Sequence, residues 1–382
     1  MSAPRVAFVT DIVTPYIVAV LADLARRVEL TAVFCARTGM RGADWALAEP
    51  LPFRHRVLGG LLIRGRNVDG ADMYPTPRLL AALVAERPAV VISGAFSFPT
   101  MYAAGYARFA RARLIIHSDG TSHSERNFGR LRLLARDRLL REAFACVANS
   151  EPALQRFIEL GANPARVFRA PHSTNIAPFH EIARRRFATA RSSEPLTVLH
   201  VGRLIPRKGV DRLLRAMAAV SSDARLRLVI VGSGPEEARL RALAVALGIA
   251  REVEFKGFVD QPGLPALYAA ADIFAMPSLE DPFGIVLLEA AASGLPVIAS
   301  PFAGASLDLL HHRRSGLIAD PDDISAWSDA LRALACDPDL RRRLGARAHD
   351  MTLTRTPQRA ANGYADAVDA VLALPRRGVK RS

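Results

Sequence analysis

Four residues of this chain have types and spacings that could do chemistry together. Arg203 and Lys208 are cations in V-G-R-L-I-P-R-K-G-V (Val201 to Val210), and Asp281 and Glu289 are carboxylates in A-M-P-S-L-E-D-P-F-G-I-V-L-L-E-A-A-A-S-G-L-P-V-I-A-S (Ala275 to Ser300). Two preplaced cations favour an anion, most of all a diphosphate that gains charge as its bond to another group breaks. A carboxylate accepts two hydrogen bonds from a vicinal diol. The set therefore suits a ligand with both phosphates and hydroxyls, of which a nucleotide sugar is one. Each residue also has a plainer reading: Arg203 and Lys208 as solvated loop cations, Glu280 and Asp281 as loop acids, Glu289 as a helix surface residue. For Glu289 the context opposes it. Ile285, Val286, Leu287, Leu288, Ala290, Ala291 and Ala292 make the helix apolar on most sides, and a lone Glu in such a helix needs a partner or a task.

The elements that would position these residues read as strand, loop, helix and strand. Ile273–Met276 is a short buried strand, Pro277–Phe283 a loop, Gly284–Ser293 a helix stopped by Gly294 and Pro296, and Pro296–Ser300 the next strand. A parallel sheet with helical crossovers exposes such loops and helix N-termini along one edge, where unpaired backbone amides and the helix dipole favour an anion. Gly202 ends another strand and permits close backbone approach. V-I-V-G-S-G-P ends a second strand at Gly232, and F-K-G-F-V brings Gly257, Phe258 and Val259 to a third strand end, where backbone groups could read a base edge.

The alternation extends along the chain. In the first half, strands are expected at Arg5–Thr10, Leu30–Ala36, Val90–Gly94, Leu114–His117, Ala145–Asn149 and Val167–Ala170. Helices are expected at Ile17–Arg27, Pro77–Glu86, Tyr102–Arg111, Arg126–Phe144 and Pro152–Leu160. Between Asp44 and Tyr74 only a strand near Phe53–Leu58 is expected. The second half has strands at Leu196–Val201, Leu226–Val231, Val253–Lys256, Ile273–Met276, Pro296–Ala299 and Gly316–Ile318, then helices at Asp322–Leu334, Pro338–His349 and Thr356–Leu374. The fold class is α/β, two Rossmann-like doubly wound domains facing across a cleft: residues 1–176, a linker at 177–195 marked by Arg184–Arg186, residues 196–355, and a terminal helix at 356–374.

The chain has 382 residues, half of them apolar, and a net charge of +14 from 51 Lys and Arg against 37 acids. Only Lys208, Lys256 and Lys380 are lysines, an arginine bias that a GC-rich coding sequence would also produce. The excess is larger in the first half and would attract an anionic membrane face, a nucleic acid or an acidic substrate. In R-N-F-G-R-L-R-L-L-A-R-D-R-L-L-R-E-A-F (Arg126–Phe144) arginines and leucines interleave on the helical wheel, a poor amphipathic membrane signal. No compact helix-turn-helix, zinc or aromatic-interleaved basic signature points to nucleic acid. Cys35, Cys146 and Cys336 lack metal-ligand spacing and read as reduced core residues of a cytoplasmic protein. Asp11 interrupts any secretory apolar run, and Gly294, Pro296, Pro301 and Gly304 break the longest charge-free apolar stretch, so neither a signal peptide nor a transmembrane span is expected.

Taken together, G-R-L-x(3)-K-G, V-G-x-G-P, F-x-G-x-V, A-D-I-F-x-x-P-S and D-P-F-G-I-V-L-L-E-A-x-A-x-G-L-P-V-I-A resemble the donor domain of retaining GT-B glycosyltransferases of family 4 (glycosyl transferases group 1). The resemblance is strong from Leu196 to Pro321 and diffuse before it. It implies that Arg203 and Lys208 hold the diphosphate of a UDP, GDP or dTDP sugar, that Glu289 accepts the ribose hydroxyls, that Phe283, Gly284 and Ile285 present backbone amides to the sugar or phosphates, and that the helix from Thr356 to Leu374 crosses back to the first domain. Asp281 falls where the family has the first Glu of an E-x(7)-E pair, which contacts the donor sugar; either the shorter Asp281 or Glu280 would do so here. I-I-H-S-D-G (Ile115–Gly120) falls where family members often carry a cleft histidine, making His117 and Asp119 both candidates, with a core histidine and a helix cap as the plainer readings.

The first strand ends T-D-I-V-T-P-Y where the family commonly has a glycine-rich loop, and A-P-H-S-T-N (Ala170–Asn175) replaces the frequent P-N-G-V-D. The resemblance implies a hexosyltransferase that moves sugar to a hydroxyl of a glycan, lipid-linked or small-molecule acceptor with retention. Peripheral contact with a membrane through the Arg-rich first domain stays open. Asp320-Pro-Asp322 and Asp337-Pro-Asp339 read as turns and N-caps rather than metal ligands, so no metal and no cofactor beyond the donor are expected. A nucleotide-sugar epimerase or a phosphorylase on the same fold is the main alternative.

Overall fold

The computed structural model describes residues 3–36, 50–59, 75–189, 195–220 and 225–375, so most of the weakly patterned stretch between Asp44 and Tyr74 lies outside the described residues. Its contacts divide the chain into two units: residues 1–174 with 357–382, and residues 175–356.

In the first unit seven short runs form a parallel sheet: β1 (Arg5–Ile12), β2 (Glu29–Ala36), β3 (Arg54–Val57), β4 (Val90–Gly94), β5 (Arg113–Ser118), β6 (Ala145–Ala148) and β7 (Val167–Arg169). Their order is β3-β2-β1-β4-β5-β6-β7, so the winding reverses between β1 and β4. Parallel strands need both faces covered. Helices α1 (Pro15–Leu24) and α14 (Pro357–Ala373) cover one face, and α2 (Arg78–Glu86), α3 (Phe98–Ala110), α4 (Arg130–Glu142) and α5 (Glu151–Glu159) pack on the other side. Helix α14 buries Ala360, Ala361, Tyr364, Ala365, Val368 and Val371, a helical stripe, against Val6, Phe8 and Ile92 of the sheet. Arg113 Nη2 donates to the Leu374 carbonyl at 2.7 Å, satisfying an acceptor just past the helix end.

In the second unit six strands form another parallel sheet: β8 (Leu196–Val201), β9 (Leu226–Val231), β10 (Val253–Gly257), β11 (Ile273–Met276), β12 (Val297–Ala299) and β13 (Leu317–Ile318), in the order β10-β9-β8-β11-β12-β13. The winding reverses between β8 and β11. Helices α6 (Ala177–Ala188), α7 (Val210–Val220), α8 (Glu237–Ala246), α9 (Leu264–Ala270), α10 (Ile285–Ala292), α11 (Gly304–Leu309), α12 (Ile324–Cys336) and α13 (Pro338–Asp350) complete it. One face buries Leu199, Phe274, Leu287 and Val297; the other buries Val198, Leu213, Ile230 and Trp327.

Three sequence expectations need correction. Residues 177–188 are helix α6 rather than linker; Phe179 and Ala183 are buried, and Arg186 donates to the carbonyls of Ser293, Ala271 and Tyr268 at 3.1, 2.9 and 2.8 Å. That guanidinium satisfies acceptors left over where α9 and α10 end, so the arginine cluster is structural. The helix expected from Arg126 begins at Arg130, because Thr121 and Ser124 hydrogen-bond each other's backbone amides and hold the preceding segment in turns. Cys336 is exposed at the end of α12, whereas Cys35 and Cys146 are buried, with burial pushing both thiols up to about 12. Among the described residues no helix is long and apolar enough to cross a membrane.

Candidate active site

Loops that follow the strands on either side of a winding reversal diverge and leave a crevice at the C-terminal sheet edge. In the second unit those strands are β8 and β11, followed by Gly202–Gly209 and Pro277–Gly284. Beyond Gly202 and Arg203, the first loop passes through a single 3-10 turn, Pro206–Lys208, into Gly209 at φ 64°. A Cβ on Gly209 would lie 2.1 Å from the Pro277 carbonyl oxygen, so only glycine lets the two loops touch. They are laced by Leu279 N–H and Glu280 N–H to the Arg207 carbonyl at 2.8 and 3.3 Å, and by Arg207 Nη1 to the Glu280 carbonyl at 3.1 Å. Gly232, ending β9 at φ 130°, approaches so closely that a Cβ would sit 1.9 Å from the Gly202 oxygen.

This lacing brings charge together. Lys208 Nζ donates to Asp281 Oδ2, and both side chains are largely buried, at 13% and 11% exposure. Asp281 is thus a carboxylate that meets the lysine. Its backbone is fixed from the other side, the Asp281 amide donating to the Phe302 carbonyl at 3.1 Å and the Gly304 amide to the Asp281 carbonyl at 3.0 Å. Arg203 is half-buried where β8 ends. Gly257 closes β10, after which Phe258 is 50% exposed while Val259 packs against the core. Phe283 is buried, Gly284 precedes α10, and Ile285 begins it, so the first amides of α10 open onto the same sheet edge.

Glu289 sits within α10 at 3% exposure. Tyr268, on α9 and fully buried, donates its hydroxyl to Glu289 Oε2 at 2.9 Å and lies 3.2 Å from the Val286 carbonyl. Burial raises the Glu289 carboxyl to about 7, against the opposing pull of the Tyr268 hydrogen bond. Under the β8 loop lies His200, 1% exposed, with Nδ1 3.0 Å from the Ala275 carbonyl and Nε2 buried and without a partner among the described residues. Burial holds this imidazole down at about 4, with Lys208 adding to the effect and the Ala275 contact opposing it. The site edge is thus uncharged at His200 and cationic at Lys208 and Arg203.

His117 and Asp119 belong to the first unit. His117 ends β5 with its ring packed on Phe8 (centroids 5.1 Å apart) and Tyr364, whose hydroxyl is 3.3 Å from Nδ1. Asn149 Nδ2 donates to that hydroxyl at 3.0 Å and to the Ala170 carbonyl at 2.8 Å. Nε2 of His117 lies against Gly94, buried and without a partner among the described residues, and burial keeps the imidazole down at about 4. Asp119 Oδ2 lies 3.4 Å from His172 Nε2. Burial acts to raise its carboxyl, but His172 outweighs this and holds it below the usual value.

Sequence reasoning missed Tyr268, His200 and Tyr364. The available signal was general: a tyrosine within an apolar stretch must find a partner for its hydroxyl, and the acids and amides it can reach are few. Asp323 and Asp337 accept amides at 2.9 and 2.8 Å as the N-caps of α12 and α13, and Asp320 accepts the Asp322 amide at 2.9 Å.

Residues 181–351 match the family Glycosyl transferases group 1. A GDP-mannose-dependent alpha-(1-6)-phosphatidylinositol monomannoside mannosyltransferase of Mycobacterium tuberculosis is 40% identical over 164 residues, 41% of this chain and 42% of that protein. A D-inositol 3-phosphate glycosyltransferase of Pseudarthrobacter chlorophenolicus is 33% identical over 252 residues, 63% of this chain and 60% of that protein. The chain thus spans about half the length of the curated relatives it matches. The crystal structure of Anabaena HepE in complex with UDP aligns with a TM-score of 0.77 at 21% identity, covering 96% of this chain and all of that one. The fold is that of GT-B glycosyltransferases, two parallel-sheet α/β units of seven and six strands.

Proposed function

We propose that this chain, whose residues 181–351 form a Glycosyl transferases group 1 domain, transfers a hexose from a nucleotide-diphosphate sugar to a hydroxyl acceptor with retention and without a metal. The observation that carries this reading is the convergence of Arg203, Lys208, Asp281 and the first turn of α10 around one winding reversal, with Glu289 further along the same helix. Arg203 and Lys208 stabilise the departing diphosphate, together with the α10 N-terminus, and so supply the electrostatic work a divalent ion would otherwise do. Glu289 accepts the ribose diol. Asp281 both orients Lys208 and accepts sugar hydroxyls once the phosphate draws on the lysine. The acceptor hydroxyl then attacks on the face the diphosphate leaves, passing its proton towards the leaving oxygen.

The chain works in the cytoplasm in this reading, and its first unit meets an anionic membrane face. Supporting this, Phe109 of α3 and Leu131 and Leu134 of α4 are 87%, 84% and 65% exposed beside Arg108, Arg130 and Arg138. Flotation with anionic but not zwitterionic vesicles is the expected result; equal recovery with both removes this part.

The central test is thermal melting with UDP, GDP and dTDP, each with and without EDTA, on the wild type and on Glu289→Ala. A nucleotide at about a hundredfold its dissociation constant stabilises by about 2.7 kcal/mol. One base should stabilise, insensitively to EDTA, and lose its effect in the variant. No shift with any nucleotide overturns the donor assignment. With the donor identified, proton NMR of the first product formed reads the anomer, and inversion would refute retention.

A further inference from the structure

The Tyr268 hydroxyl has one proton and two acceptors within reach, Glu289 Oε2 at 2.9 Å and the Val286 carbonyl at 3.2 Å. Both side chains are buried, Tyr268 completely, so neither acceptor can be exchanged freely for water. The arrangement has two fully satisfied states. With Glu289 ionised, Tyr268 donates to the carboxylate. With Glu289 protonated, the acid proton goes to the Tyr268 oxygen and the tyrosine proton turns to Val286. Only the first leaves Glu289 purely an acceptor, as a vicinal diol requires.

We propose that Tyr268 is the positioning residue of the nucleoside site: by sharing its proton between Glu289 and the Val286 carbonyl, it sets the orientation and charge state in which Glu289 accepts the ribose. This rests on the donor reading above. Its consequence is that donor affinity rises with pH through the titration of Glu289, whose carboxyl burial lifts to about 7 while the Tyr268 hydrogen bond pulls it down.

Charges on the elements packed around α10 are paired elsewhere or exposed: on α13, Arg341 donates to the Ala335 carbonyl, while Asp339, Arg342, Arg343, Arg347 and Asp350 are exposed. Arg186 of α6 donates to backbone carbonyls, Glu181 pairs with Arg184 and Arg185, and His180 faces His349 of α13 with ring centroids 4.9 Å apart. Asp308 of α11 is paired with Arg355, and Asp281, in the loop before α10, with Lys208. Strands β11 and β12 present no titratable side chain.

The experiment measures the affinity of the stabilising nucleoside diphosphate from pH 5.5 to 9 in the wild type, Tyr268→Phe and Glu289→Gln. The variant Glu289→Gln supplies the pH profile of every other group, the phosphates included. Relative to it, wild-type affinity should rise through a midpoint near 7. The Tyr268→Phe midpoint should move to higher pH, with about tenfold weaker binding at pH 7 and near-recovery at pH 9. An unchanged midpoint, or equal weakening at every pH, overturns the inference and leaves Tyr268 a packing residue. In parallel, carbon-13 carboxyl NMR without nucleotide, with Glu289→Gln as the assignment, follows Glu289 directly. If no nucleotide binds at any pH, the donor reading fails, and this titration still decides the role of Tyr268. An upward shift in Tyr268→Phe upholds its hold on the Glu289 charge, and no shift overturns it.

Discussion

Replacing Gly209 by alanine tests whether the two site loops are held by a backbone approach that only glycine allows. Gly209 and Gly248 both sit in the left-handed region, at φ 64° and 75°, and both follow or precede a helix of the second unit. An alanine Cβ at Gly248 meets nothing within 4 Å, whereas at Gly209 it would lie 2.1 Å from the Pro277 oxygen, against ordinary contacts of 3.4 Å or more. Both variants incur the left-handed strain of about 1–2 kcal/mol. Gly209→Ala must also push the Pro277–Asp281 loop away by more than an ångström. That breaks the Leu279 and Glu280 amide bonds to the Arg207 carbonyl, worth about 1 kcal/mol each. The expected losses are about 3–4 kcal/mol for Gly209→Ala and about 1–2 kcal/mol for Gly248→Ala. For a unit of this size, each kcal/mol moves the melting temperature by about 2–4 °C. Calorimetry of the two variants should separate them by about 4–8 °C, and only Gly209→Ala should weaken nucleoside diphosphate binding, because its turn carries Lys208. Equal melting shifts, or full binding in Gly209→Ala, would refute the claim that this contact builds the site.

Two further predictions follow from buried groups. A histidine in the unfolded chain titrates near 6.5, while His200 stays neutral in the folded protein down to about 4. Its contribution is complete above pH 6.5 and drains away as pH falls towards 4, because the unfolded state takes the proton first; the loss amounts to about 3 kcal/mol. Urea unfolding at pH 7 and pH 5 should show about 2 kcal/mol of this loss in the wild type and a smaller pH dependence in His200→Asn, and equal dependence would count against it. Arg186→Ala should destabilise by about 2–3 kcal/mol by stranding the carbonyls that end α9 and α10. Chemical denaturation that finds Arg186→Ala within about 0.5 kcal/mol of wild type, the range of ordinary surface substitutions, would restore the linker reading.

The strands were legible because parallel, doubly covered strands are short apolar runs between glycines, prolines and polar turns. Val90–Gly94, Leu226–Val231 and Ile273–Met276 read from sequence with the bounds they have in the structure. Helix α6 was not legible, since three consecutive arginines look solvated until Arg186 is seen reaching carbonyls some 82 to 107 residues further along the chain. The same limit hid Tyr268. Sequence spacing relates residues on one element, as with Asp281 and Glu289 along loop and helix. It carries no information on which residue of α9 meets which residue of α10, a matter decided by packing. His117 illustrates the converse: its strand-end position was readable, but its burial among Phe8, Asn149 and Tyr364 depends on a helix near the far end of the chain.

That helix, α14, has a consequence for how the molecule is made. The first unit encloses its sheet with residues 360–371, and the whole second unit lies between them and the rest of the first unit in the chain. A ribosome releasing the chain from its N-terminus therefore presents β1 to β7 with one face covered only in part, by α1, throughout synthesis of the next 182 residues, 175–356. The second unit, continuous in sequence, can close while still tethered. The unit translated first is thus the one finished last, and Phe8, Ile92 and Val147 wait for Tyr364 and Val368 as sticky apolar surface. Nascent chains stalled before Pro357 would recruit holdase chaperones, and release would follow as α14 emerges.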